Sequence, residues 1–171
     1  MLRYRHVLVA FDGSPQAELA LDHAVALAQN YRARLALVAV IPPPPLLAWQ
    51  APGGIRGVHE GEQTELEGSL RAAADRVPDD MSVTTRLRDA ADRVPDDLSI
   101  TTRLLDGDPA REILRAAREG DHDVIVLGSR GRGRVSAALL GSVSNRVMHD
   151  ADVPVIVIHP PSRDDGPDLA A

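Results

Sequence analysis

Five short apolar runs set apart by amphipathic segments constrain this chain more than any other feature. They are HVLVAF (6–11), RLALVAV (34–40), LSITTRLL (98–105), DVIVL (123–127) and PVIVI (154–158). Runs of this length, rich in Val, Ile and Leu, are typical of strands buried on both faces. The stretches between them carry helix signals. Ser14-Pro15 is an N-cap followed by Pro at the first helical position, and Leu19, Ala20, His23, Ala24 and Leu27 follow at helical spacing, so a helix is expected over 15–31. Asp108-Pro109 opens another over about 110–119, and Val143, Val147 and Ala151 mark a last one that starts near Leu139 or Ser142 and ends at Asp150. Between the second and third runs, Pro42 to Pro45 take the chain out of the sheet, and a Glu-rich helix is expected over about 58–77, before Pro78. Strand and helix therefore alternate. That predicts an α/β fold with one open parallel sheet, helices on both faces and right-handed crossovers. Ligands of such sheets bind at the carboxyl ends of the strands, which here lead into Asp12, Val40, Leu105 and Gly128.

Composition agrees and removes several functions. Aromatic residues are 2% of the chain, so the core is built from Val, Leu, Ile and Ala. There is no cysteine, which excludes disulfides, thiolate metal sites and cysteine nucleophiles. A net charge of −6 argues against broad nucleic-acid binding. The N-terminal apolar run stops at Asp12, short of a secretory segment, and no stretch reaches the roughly 18 apolar residues of a membrane span. The expectation is a soluble cytoplasmic protein, with one domain over 1–159 and a disordered polar tail over 160–171.

The stretch GSRGRGRVSAALLGSVSNRV (128–147) follows directly on the fourth strand. Two familiar phosphate patterns fail in it. A P-loop would need Lys and Ser or Thr after Gly133, where Arg134 and Val135 stand; the dinucleotide pattern would need a glycine at Ser136. What remains is G-x2-G-x9-G-S: Gly128, Gly131, Gly141 and Ser142. Its chemistry suits a phosphate. Gly128 allows a sharp exit from the strand, while Gly131 and Gly133 let backbone N–H groups approach an anion. Gly141, Ser142, Val143 and Ser144 lie near a helix start, where free N–H groups and the helix dipole favour negative charge, and the two serines add hydroxyl donors. Arg130, Arg132 and Arg134 supply positive charge. A tight turn with solvated arginines is the alternative reading of the same residues.

VLGSRGRGRVSAALLGSVSNRVMHDADVPVIVI resembles the C-terminal signature of the universal stress protein family, G-2x-G-9x-G-[ST]. HVLVAFDGSPQAELALDHAVALA and GDPAREILRAAREGDHDVIVLGSRGRG are similar to its opening and middle. The likeness spans about 5–40 and 98–158. It implies a Rossmann-like five-stranded sheet of order 3-2-1-4-5, usually dimeric, and ATP binding where the glycine motif is intact. It places Asp12 near the nucleoside and the backbone of Val40 at the adenine edge. Ribose and phosphates fall to Gly128, Gly131, Gly141 and Ser142, and Arg132 stands where the family often has arginine. The last strand, Pro154–Ile158, is the implied homodimer edge. Two of these assignments have a plainer counterpart: Asp12 as the residue that closes the turn before Ser14, and Ser142 as a helix cap.

Catalysis is less well supported. Hydrolysis needs an oriented water and usually a metal. Asp12 is the carboxylate that the pattern puts at the ligand end; Asp106 and Asp108 are further candidates, though Asp108 reads as an N-cap. His6, His23, His59, His122, His149 and His159 show no metal-ligand spacing, and there is no nucleophile elbow. Mg²⁺ is expected to arrive with ATP phosphates. The favoured expectation is an ATP-binding stress or regulatory switch with slow or no hydrolysis. A nucleotide-independent dimeric interaction protein and an ATP-hydrolysing or adenylating enzyme are the alternatives.

One segment is written twice. LRAAADRVPDDMSVTTR (70–86) runs into LRDAADRVPDDLSITTR (87–103), with fourteen of seventeen positions identical. Only one copy is needed for the third strand, and the second leads directly into Asp106-Gly107-Asp108-Pro109. The first copy is then expected to extend the preceding helix or to add an edge strand over about 82–87. The intervening 87–94 is short for the helix of a parallel crossover.

Overall fold

The computed structural model describes residues 4–43, 54–77, 82–86, 99–131 and 140–160. The described elements are β1 (His6–Ala10), α1 (Pro15–Tyr31), β2 (Arg34–Ile41), α2 (Gly54–Asp75), β3 (Ser82–Arg86), β4 (Ser99–Asp106), α3 (Pro109–Glu119), β5 (Val124–Gly128), α4 (Ser142–Asp150) and β6 (Val155–Ile158). The strands form one sheet in the order β3-β4-β2-β1-β5-β6, and every pairing is parallel. Five of them, β4-β2-β1-β5-β6, reproduce the order 3-2-1-4-5. The sheet has a sixth strand because the duplicated segment adds β3 outside β4.

The register of that addition follows the repeat. Ser82 pairs with Ser99, Val83 with Ile100, Thr84 with Thr101, Thr85 with Thr102 and Arg86 with Arg103. Each residue lies beside its own counterpart in the other copy. Of the two expectations for the first copy, the edge strand forms, over Ser82–Arg86, while an extension of the helix past Pro78 would fall on 78–81, outside the described residues; the start of the copy, Leu70 to Asp75, lies in α2. The second copy supplies the inner strand, next to β2. The pairing is parallel despite the short connection over 87–98, which lies outside the described residues, as does the tail over 161–171.

Alternation along the strands sorts the core into two layers. Val7, Val9, Leu35, Leu37, Val124 and Val126 pack with α1 and α2 on one face. Leu8, Val38, Val40, Ile125 and Leu127 pack with α3 and α4 on the other. α1 buries Ala17, Ala20, Leu21, Ala24 and Ala28, so mostly methyl groups separate it from the sheet. Its N-terminus is fixed as the sequence indicates: the Ala17 N–H donates to Ser14 Oγ at 3.2 Å, with Pro15 at the first helical position. α3 starts the same way, the Arg111 N–H donating to Asp108 Oδ1 at 2.9 Å. At β6, Pro154 lacks a donor, but its carbonyl accepts from the Ile125 N–H at 3.0 Å. Among the described residues no helix is long and apolar enough to cross a membrane.

Candidate functional site

From β1 the chain passes to β2, then to the edge strand β3 and inward to β4, and returns to place β5 on the other side of β1. The loops after β1 and β5 therefore diverge at the carboxyl end of the sheet and leave a crevice there. It is occupied by a cavity of about 380 Å³, lined by the ends of β1, β2 and β5, the first turns of α3 and α4, and one face of α2.

Three glycines shape one wall. Gly128, at the end of β5, lies against the first turn of α1: a Cβ there would stand 2.8 Å from the backbone carbon of Gln16 and 2.9 Å from its oxygen. A Cβ on Gly131 would collide with Asp12 Oδ2. The glycine thus lets the loop after β5 close over the carboxylate that follows β1. Gly141 is the N-cap of α4, and its own N–H donates to the Ser129 carbonyl at 2.8 Å. It provides no side-chain acceptor to the first turn, while Ser142, Val143 and Ser144 line the cavity. The N–H groups of a helix's first turn lack intrahelical partners, so this wall carries partial positive charge. Arg130 stands on the same wall.

The opposite wall is the end of β2, which outruns β1. The last β2 residue in register with β1 is Val38, opposite Ala10, and the Val38 carbonyl accepts from the Phe11 N–H at 2.8 Å. N–H and C=O groups point to alternate sides along a strand, so Val40 turns both of its own toward β1, just past the point where β1 has ended. Ile41 faces the other way, its carbonyl accepting from the Gly107 N–H at 3.0 Å. The main chain of Val40 thus offers a donor and an acceptor side by side at the cavity.

The structure brings Asp12, Val40, Gly128, Gly131, Gly141, Ser142, Val143 and Ser144 together around this cavity. Arg132 and Gly133 lie outside the described residues. Two expectations are refined. Asp12 does close its turn, accepting the Ser14 N–H on Oδ1 at 3.0 Å, yet its Oδ2 lies beside Gly131, so the two roles are compatible. Ser142 is the first residue of α4 rather than its cap, because Gly141 holds that position. The buried Ser144 hydroxyl is committed to the Gly128 carbonyl at 2.8 Å, which ties α4 to β5. Asp108 is an N-cap, and its two carboxylate oxygens also accept from Arg146 Nη1, at 3.0 and 3.1 Å. Among the described residues no cluster of three or more His, Asp or Glu could hold a metal ion.

The sequence reading missed the α2 wall. Glu62 and Leu66, four residues apart and so on one helix face, both line the cavity. No motif marks them, since the contact arises from the packing of α2 against β2. Among the described residues, His122 has a displaced pKa. Burial lowers it below 6.5, against the pull of the Ala117 and Ala116 carbonyls; His6 adds slightly to the lowering and Asp123 opposes it. It lies at the opposite end of the sheet from the cavity, close to His6, their ring centroids 6.4 Å apart.

The architecture is that of a doubly wound α/β protein with a glycine-lined crevice at its strand-order switch point. A family model matches residues 3–159, and the chain belongs to the universal stress protein family. It is 27% identical over 162 residues to universal stress protein MJ0531 of Methanocaldococcus jannaschii, covering 94% of this chain and 85% of the relative. It is 36% identical over 151 residues to universal stress protein Rv2005c of Mycobacterium tuberculosis, covering 88% of this chain but only 44% of that longer protein. Among solved structures, the universal stress protein UspA from Lactobacillus plantarum aligns with a TM-score of 0.72 at 24% identity, over 92% of this chain and 99% of the other. The fold also matches a universal stress protein in complex with cAMP (TM-score 0.56, 22% identity, 92% and 98% covered). A third match is the Archaeoglobus fulgidus universal stress protein in complex with dAMP (TM-score 0.54, 21% identity, 92% and 99% covered).

Proposed function

We propose that this chain binds ATP in the crevice between β1, β2 and β5 and acts as a nucleotide-dependent regulatory switch in a stress response, with slow or no hydrolysis. The observation that carries the reading is the pairing of two unlike walls around one cavity: the glycine wall with the uncapped start of α4, and the open main chain of Val40. The first suits phosphates. The second suits the edge of adenine, which presents an acceptor beside a donor. Complexes of two fold relatives with cAMP and dAMP support an adenine nucleotide. Asp12 would meet the ribose. Gly128, Gly131, Gly141, Ser142, Val143 and Ser144 would hold ribose and phosphates by main-chain N–H groups, joined by Arg132 and Gly133. Mg²⁺ would be bound chiefly by the phosphates, and it would neutralise their charge.

Residues 1–159 are proposed to form the nucleotide-binding domain, acting in the cytoplasm as a homodimer that pairs through Pro154–Ile158. Val155, Ile156 and Val157 are only half-buried on this outermost strand, which supports pairing there and also favours the second reading, a dimeric interaction protein that needs no nucleotide. The deciding experiment is chromatography of nucleotide released from denatured purified protein, with calorimetric titration of Mg·ATP into the wild type and Gly141→Val. Gly141 lies 3.4 Å, measured from an added Cβ, from the Arg130 Cα and the Ser129 carbonyl, so valine should close the wall. ATP found in the wild type and absent from the variant is expected. No ATP in either assay would promote the second reading.

A further inference from the structure

We infer that Glu62 on α2 selects the base: its carboxylate accepts a hydrogen bond from the exocyclic amine of adenine. The inference rests on the nucleotide reading and deepens it. Glu62 lines the same cavity as Val40, Ile41 and Pro42 at the end of β2, beside Leu66 of its own helix. Its Oε2 is buried and has no hydrogen-bond partner among the described residues. A buried carboxylate oxygen without a donor is costly, and in a binding cavity such an atom is satisfied when a ligand brings the donor. Few parts of a nucleotide suit this place. Phosphates are repelled by a carboxylate and are drawn to the glycine wall across the crevice. The base is the part that lies against Val40. An adenine amine has two hydrogens; the Val40 carbonyl can take one, and the second needs another acceptor. Glu62, whose Oε2 has no partner among the described residues, lines the same cavity and is such an acceptor. A 6-keto purine in the same pose would set its oxygen against both the carboxylate and the Val40 carbonyl, so one residue gives both attraction to adenine and exclusion of hypoxanthine.

The test measures dissociation constants of ATP, inosine triphosphate and purine riboside triphosphate for the full chain and for Glu62→Gln, with thermal melts to confirm that the variant is folded. Glutamine keeps an acceptor but adds an N–H donor, so it can turn its amide toward a 6-keto group. The wild type should prefer ATP over inosine triphosphate by about tenfold to a hundredfold, the range of a hydrogen bond to a charged group. Glu62→Gln should shrink that ratio by about tenfold, through weaker ATP and tighter inosine triphosphate binding. Purine riboside triphosphate, which has no substituent at that position, should bind both proteins alike. An unchanged ATP-to-inosine ratio in a folded variant overturns the proposal. So does equal weakening of all three ligands, which would place Glu62 on the ribose. If the wild type binds none of the three, the nucleotide reading itself fails and this inference goes with it.

Discussion

Gly128 and Gly131 stand three residues apart in one motif, yet adding a methyl group to each should have opposite consequences. At Gly128 the new Cβ would lie 2.8 Å from the backbone carbon and the Cβ of Gln16. Carbon atoms rest at about 3.5–4.0 Å, so α1 would have to withdraw from β5 by roughly 0.7 Å or more. Gln16 sits in the first turn of α1, between the Ser14 cap and the buried Ala17, so the shift cannot be taken up by a side chain. Overpacking of this kind costs about 1–3 kcal/mol. For a domain of this size, about 2–4 °C of Tm is lost per kcal/mol, so Gly128→Ala should melt roughly 2–12 °C below the wild type. At Gly131 the methyl meets only the end of the Asp12 side chain. The half-buried carboxylate, which accepts the Ser14 N–H, has to give way rather than the backbone, and the stability change should stay below about 1 kcal/mol. That displaces Asp12 within the cavity, so ATP affinity should fall although the fold is intact. Thermal melts and urea titrations, read beside calorimetric ATP titrations of the folded variants, check both halves. A Gly128→Ala protein as stable as the wild type, or a Gly131→Ala protein that melts as low as Gly128→Ala, would refute the steric argument.

Three further outcomes follow from the structure. Burial holds His122 below its ordinary pKa of 6.5, so between the folded value and 6.5 the unfolded chain binds more protons. That contribution to stability is complete above 6.5 and is lost as pH falls through the folded value; the urea midpoint should drop between pH 7.5 and pH 5, and less so in His122→Asn. Ser144→Ala removes the 2.8 Å hydrogen bond to the Gly128 carbonyl at a buried position and should cost about 1–3 kcal/mol in chemical denaturation. Deleting 70–86 should leave a folded five-stranded protein with unchanged ATP affinity, because 87–103 restores both the end of α2 and the strand beside β2; a deletion variant that circular dichroism shows to be unfolded would mean that β3 is needed to cover β4.

The local parts of this fold are legible in the chain because their causes are local. Ser14-Pro15 and Asp108-Pro109 start helices through hydrogen bonds to residues three positions on, and a run such as VIVLG has the length and branching of an inner strand wherever it occurs. The glycine spacing of 128–142 marks one wall of the crevice for the same reason. What the chain does not display is which distant groups meet. The collision that Gly131 avoids is with Asp12, the acceptor face of Val40 opens only because β1 stops short of β2, and Glu62 reaches the cavity only because α2 packs beside β2. The duplication shows the division most sharply. Two near-identical strands have equal local claims to the place beside β2, so the sequence of either copy cannot rank them. The closed chain does, because the second copy leads without a spare residue into Gly107, whose N–H bonds to the Ile41 carbonyl at the end of β2, and the first copy is left to pair in register on the outside.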